Sequence, residues 1–230
     1  MISILFLGFF LGMQHALEAD HVAAVASIAT KQKTARRIIA HGAVWGLGHT
    51  ITLMALAGGC FYLGKSIEAD IARWLEAGVG VMLLALGGSV LWRLWRERVH
   101  FHVHRHKDGI AHFHAHSHEP KVPHTTRAHD HKHVPTIPYR TVLIGMMHGM
   151  AGSAALLVLT ASTVIDPDFA LFYIALFGVG SMMGMAALSA VIAVPLVYSS
   201  KVLTWSQNLL QGGIGGVTVL LGVLTLSHSF

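Results

Sequence analysis

GMQHALEADHVAAVASIAT (12–30) and GMMHGMAGSAALLVLTAST (145–163) share one pattern, a glycine, a methionine and a histidine opening a long apolar run. They do not stand alone. WGLGHTITLMAL (45–56) lies beside FGVGSMMGMAAL (177–188), and LEAGVGVMLLALGG (75–88) beside LQGGIGGVTVLLGV (210–223). The offsets are 133, 132 and 135 residues (12 to 145, 45 to 177, 75 to 210). Three ordered blocks at nearly one offset read as an internal duplication.

The blocks sit in six apolar segments, at about 3–29, 38–63, 71–95, 141–165, 169–198 and 203–226. Each approaches or exceeds the roughly 20 residues that a membrane-crossing helix requires. Composition agrees, since 53% of the residues are hydrophobic and 12% charged, about half the charge of an ordinary soluble domain. The expected fold is an all-α integral membrane protein of about six transmembrane helices. Residues 1–96 form a first three-helix repeat, 97–139 a His-rich loop and 140–230 a second three-helix repeat. Three spans per half is odd, so the second half is inverted relative to the first. Inverted repeats of this kind build transporters, with a substrate site near the midplane.

Lys and Arg crowd 31–37, 93–107 and 121–140, whereas DPD (166–168) carries no basic residue. The positive-inside bias then sets both termini outside and the long loop in the cytoplasm of an inner (plasma) membrane. The pI near 9.6 reflects that loop bias and implies no nucleic-acid partner. Residues 2–14 lack the charged start and cleavage site of a signal peptide, so they read as part of a retained first span. The single cysteine, Cys60, excludes an internal disulfide and a thiolate cage and reads as a small core residue.

Within the first span stand His15, Glu18, Asp20 and His21. Two acids at mid-membrane cost about 5–7 kcal/mol on insertion scales, so a functional site is expected there. In an ideal helix His15, Glu18 and His21 share a stripe, and Asp20 points largely away. Either Asp20 supports or packs from behind, or the helix breaks and turns it inward. Imidazole with carboxylate suits Ni²⁺, Co²⁺ or Zn²⁺, and the lack of thiolates argues against Cu⁺. His49 in GLGHT and His148, which aligns with His15, complete the candidate ligands. His41 and His228 read as interfacial. Gly42/Gly46, Gly180/Gly184 and Gly212/Gly216 are spaced for close helix crossings, and the scattered methionines read as apolar filler.

Twelve of the 18 histidines lie within 100–133. HFHVHRH (100–106) supplies His100, His102, His104 and His106. HFHAHSH (112–118) supplies His112, His114, His116 and His118, and HDHKH (129–133) supplies His129, His131 and His133. Alternation spaces successive histidines about 6.6–6.8 Å apart on an extended chain. That suits metal capture, buffering or sensing by a segment expected to be disordered without metal. GCFYLGKS (59–66) satisfies the phosphate-loop pattern but closes an apolar helix with Phe61 and Tyr62 in the cradle, so it is dismissed. HExxH is absent.

HALEADHV (15–22) and LGHT (47–50) resemble the two signature motifs of the nickel/cobalt transporter family. The resemblance implies Ni²⁺ or Co²⁺ transport, with His15, Asp20, His21 and His49 as the matching functional positions. The chain departs from the longer permeases by having about six spans and GMMHGMAGSAAL (145–156) in place of their acidic motif. In this it is similar to the short urease-accessory nickel permeases, and its loop is similar to that of nickel/cobalt efflux proteins.

The expected function is therefore alternating-access transport through a His/carboxylate site. The ion is substrate, no prosthetic group is expected, and cytoplasmic metallochaperones are potential partners. No enzymatic activity is expected. Two rival readings are a membrane metal sensor or chaperone acting through the loop, and a metal-dependent membrane hydrolase. The first predicts that the loop, not His21, is indispensable; the second predicts substrate turnover.

Overall fold

The computed structural model describes residues 2–63, 67–96, 100–105, 111–116, 138–150, 167–202 and 204–230. The helices are α1 (Ile2–His15), α2 (Ala19–Ala29), α3 (Ala35–Leu63), α4 (Ala69–Arg96), α5 (Tyr139–His148), α6 (Pro167–Val202) and α7 (Thr204–Ser229). Four stretches are long and apolar enough to cross a membrane: Ala35–Leu63, Ala69–Arg96, Phe169–Tyr198 and Ser206–Ser229. Their outward faces carry large apolar side chains such as Phe172, Val191, Val194, Leu209 and Leu220. So much exposed hydrocarbon suits lipid and not water.

The first apolar segment is not one helix. α1 ends at His15, and the next bonds tighten to Leu17 N–H on Gln14 O and Glu18 N–H on His15 O. Glu18 then adopts an extended conformation (φ −62°, ψ 148°) before α2 begins at Ala19. The break turns Asp20 away from the position that a continuous helix would give it. The two alternatives for Asp20 are not exclusive: the helix is broken, and Asp20 bonds His21 and His148 from behind their rings. The fourth segment behaves alike as far as it is described. α5 ends at His148, and Gly149 and Met150 close it with bonds back to Gly145 and Met147. Residues 151–166 lie outside the described residues.

α3 runs antiparallel to α6 and α4 antiparallel to α7, while α1 lies along α6 and α5 along α3. Glycine fixes the closest crossings. A Cβ on Gly12 would overlap the carbonyl of Phe177, and one on Gly145 would overlap the carbonyl of Trp45. A Cβ on Gly180 would strike Phe9 O, and one on Gly48 would strike Val142 O. These four contacts form two pairs whose members differ by 132 or 133 residues at every position (12/145 with 177/45, and 180/48 with 9/142). Gly42, Gly46 and Gly184 also meet neighbouring helices closely, as their spacing predicts. Gly212 and Gly216 do not. Close crossings of α7 on α4 fall at Gly215 and Gly222, because those positions face Leu91 and the Gly80–Leu84 turn.

Two apolar clusters bracket the centre. One gathers Val25, Ile28, Trp45, Val79, Leu83 and Met185; the other gathers Leu53, Tyr173, Ile174 and Phe177. Some hydroxyls are tied off, as where Ser27 Oγ meets Thr218 Oγ1 at 2.9 Å and Thr50 donates to Gly178 O at 2.9 Å; Ser181 and Ser189 Oγ have no partner among the described residues.

The loop departs from expectation as well. Residues His100–Arg105 and Ala111–His116 form β1 and β2 of an antiparallel ribbon, where disorder was expected without metal. The register pairs His100 with His116, His102 with His114 and His104 with His112. The alternating sequence that suggested an extended segment also satisfies the two-residue period of a strand. Outside this ribbon every described element is a helix.

Candidate metal centre

The break in the first apolar segment brings five of the predicted residues to one point. His15 closes α1, Asp20 and His21 occupy the first turn of α2, His49 comes from mid-α3 and His148 closes α5. The ring centroids of His15 and His21 are 4.3 Å apart, of His21 and His49 5.2 Å, and of His21 and His148 4.2 Å. All four histidines are buried, His49 completely. Trp45 closes one side, 5.5 Å from His21 and 5.2 Å from His148. Phe177, 132 positions further on, stands 5.4 Å from His15 on another.

Hydrogen bonds sort these residues into two layers. Asp20 Oδ1 accepts from the His21 backbone N–H at 2.8 Å and pairs with His21 Nδ1 at 2.9 Å. Its Oδ2 pairs with His148 Nε2 at 3.0 Å. Glu18 Oε1 pairs with His15 Nδ1 at 2.7 Å. Nε2 of His15, Nε2 of His21, Nδ1 of His148 and both ring nitrogens of His49 are buried with no hydrogen-bond partner among the described residues. Leaving buried nitrogens empty costs about 1–3 kcal/mol each, so an absent partner is indicated.

Ring nitrogens of His15, His21 and His49 lie within 4.8 Å of one another. Ligands about 2.0–2.1 Å from a common ion are at most about 4.2 Å apart, so sub-ångström shifts would close this set on a metal. The carboxylates stand on the far side of two of these rings, the arrangement that orients and strengthens imidazole ligands. Asp20, His21 and His148 form an overlapping second set. In addition, α1 and α5 both end at the centre, so the electronegative ends of two helices would suit a cation there.

Glu18 is the least central of the predicted set, at 56% exposure, and reaches the centre only through His15. His41 bonds Thr141 Oγ1 at 2.8 Å and is not part of the cluster. His106, His118, His129, His131 and His133 lie outside the described residues, as does the end of GCFYLGKS. Cys60 is a half-buried free thiol. Sequence reasoning overlooked Ser181, which aligns with His49 at the 132-residue offset. It is wholly buried, and its Oγ has no partner among the described residues.

These features describe a bundle of membrane-crossing length built around a buried histidine–carboxylate cluster. The chain belongs to the high-affinity nickel-transport protein family, whose model matches residues 1–227. It is 35% identical over 204 residues to the urease accessory protein UreH of Bacillus sp. (strain TB-90), covering 87% of this chain and 81% of that relative. No solved structure matches it.

Proposed function

We propose that the chain carries Ni²⁺, with Co²⁺ as a second substrate, across the inner membrane by alternating access around His15, His21 and His49. The observation that carries this reading is the set of unpartnered, buried nitrogens on three helices, backed by carboxylates. The neutral rings bind the dication. Glu18 and Asp20 hold the rings in place and offset its charge, and His148 steadies Asp20 from the other half.

The two halves, 1–96 and 140–230, would be inverted three-helix repeats, giving six spans with broken first and fourth members. The matched glycine contacts at the 132–133 offset support this arrangement, as does the paired ending of α1 and α5 at histidine. The same offset would make the two halves interchangeable gates, one opening as the other closes. Tyr62, Trp74 and Phe230 mark one end of the bundle, and Trp92, Trp95, Tyr139 and Tyr198 the other. Such belts suit two membrane interfaces. The second end also holds the basic loop 31–37, so it would face the cytoplasm, with both termini outside.

The segment 97–139 would then be a cytoplasmic metal-capture loop that exchanges Ni²⁺ with metallochaperones. A ribbon whose register joins His to His three times supports capture, and ligands outside the bilayer supply no path through it. The experiment is metal flux into and out of vesicles containing the purified protein. Time-dependent, saturable Ni²⁺ movement that disappears in His21→Ala supports the reading. Normal flux in that variant rejects the site, and loss of all flux on removing 100–133 from a correctly inserted protein favours the sensor.

A further inference from the structure

A long apolar groove of about 990 Å³ runs between α2, the end of α6 and α7. Ala19, Ala23 and Ala26 form one wall, and Leu210, Ile214 and Val217 another. Its central hydroxyl, Thr218, is already bonded to Ile214 O at 2.7 Å and to Ser27 at 2.9 Å. The groove therefore suits hydrocarbon.

Followed toward the basic end, the same two helices lead into a second cavity of about 420 Å³ with opposite character. α2 passes from Ala26 to Thr30, and α7 from Leu210 to Gln207. Among the described residues this cavity is lined by Lys31, Lys33, Arg93, Gln207 and Gln211, with no Asp or Glu among them. Arg93 is held in place by Thr30 O at 3.2 Å and Gln211 Oε1 at 3.2 Å. Burial first, and then the charges of Arg93 and Arg140, push the Lys31 ammonium below its ordinary pKa. Cations so crowded favour an anion and repel Ni²⁺, which removes this cavity from the ion's route.

We propose that these cavities form one site for an anionic phospholipid, its acyl chain in the α2–α7 groove and its phosphate at Lys31 and Lys33. The inference rests on the chain being embedded in a bilayer but not on what it transports. The lipid would fasten the short helix α2 to α7 on the side away from α3. α2 carries Asp20 and His21, so lipid occupancy would bear on the stability of the metal centre.

The test is native mass spectrometry of the delipidated full chain titrated with phosphatidylglycerol or phosphatidylcholine. Two variants attack the site from different ends. Lys31→Gln with Lys33→Gln removes charge at the solvent edge. Gly213→Leu fills the groove from a position where a Cβ meets nothing within 4 Å. The expected results are selective phosphatidylglycerol adducts, about thirtyfold weaker in the lysine double variant and weakened also in Gly213→Leu. Equal binding of the two lipids, or undiminished phosphatidylglycerol binding in either variant, overturns the proposal. So does displacement by inorganic phosphate with Gly213→Leu unaffected, which would mark a site for free anions. The readout is lipid mass, so it stands or falls separately from Ni²⁺ flux.

Discussion

Asp20 and His148, 128 residues apart, meet at 3.0 Å in the centre of the bundle. With its other oxygen Asp20 holds His21, so one carboxylate fixes a candidate ligand and links the first half of the chain to the second. Asp20 is 33% exposed and Glu18 56%, which makes the two acids unequal. Asp20→Asn should weaken Ni²⁺ binding by about 10–100-fold, the usual effect of losing a carboxylate behind a metal-bound histidine. Glu18→Gln should cost about fivefold, the worth of one half-exposed hydrogen bond of about 1 kcal/mol. Calorimetric titration of both variants with Ni²⁺ ranks them, and a larger loss for Glu18→Gln would reverse the roles assigned here.

His49 and His148 separate on the same logic. Both ring nitrogens of His49 lack partners among the described residues, whereas His148 spends Nε2 on Asp20 and has only Nδ1 unpartnered. His49→Ala should abolish high-affinity binding. His148→Ala should leave measurable binding, because it loosens Asp20 without removing a nitrogen from the three-histidine set. Ni²⁺ titration of the two variants, with Co²⁺ alongside, decides it. Equal loss in both would make the Asp20–His21–His148 set the principal one.

Most of this centre was legible because acids and histidines are costly in an apolar span and so stand out. His15, Asp20, His21, His49 and His148 were all visible on that ground. What periodicity could not supply was the direction of Asp20. It assumes an unbroken helix, and the break at Ala16–Glu18 involves no proline or glycine that would announce it. Ser181 was missed for a related reason, since a serine in an apolar helix carries no obvious cost. Its alignment with His49 was the available signal. The ribbon in the loop was hidden differently: a His-rich, charged composition reads as disorder, while its strict alternation is also a strand pattern.

The ribbon has its own outcome. Its histidine pairs stand apart from the helical centre in sequence. Deleting 100–116 should therefore preserve flux at saturating Ni²⁺ while changing the response at scarce metal. Vesicle assays across a range of Ni²⁺ concentrations measure this. Unchanged transport at every concentration would deny the ribbon a part in capture.

The last prediction concerns the glycines that set the half-helices against the long ones. Gly12 meets Phe177 as Gly145 meets Trp45, and Gly180 meets Phe9 as Gly48 meets Val142. In each case a methyl group would collide with a backbone carbonyl, which no rotamer change can relieve. Overpacking of this kind costs about 1–3 kcal/mol, or about 2–12 °C in melting temperature for a chain of this size. Gly78 and Gly88 are the internal controls, because a Cβ at either meets nothing within 4 Å. Alanine there should be neutral or stabilising by up to about 1 kcal/mol, through the lower entropy cost of ordering alanine in a helix. Thermal melts of the six single alanine variants in one detergent would supply the comparison. If the halves are built alike, Gly12→Ala should match Gly145→Ala, and Gly48→Ala should match Gly180→Ala. Losses at Gly12 and Gly180 without losses at Gly145 and Gly48 would leave the repeat as a likeness of sequence only. The α1–α6 and α3–α5 contacts would then not be equivalent gates.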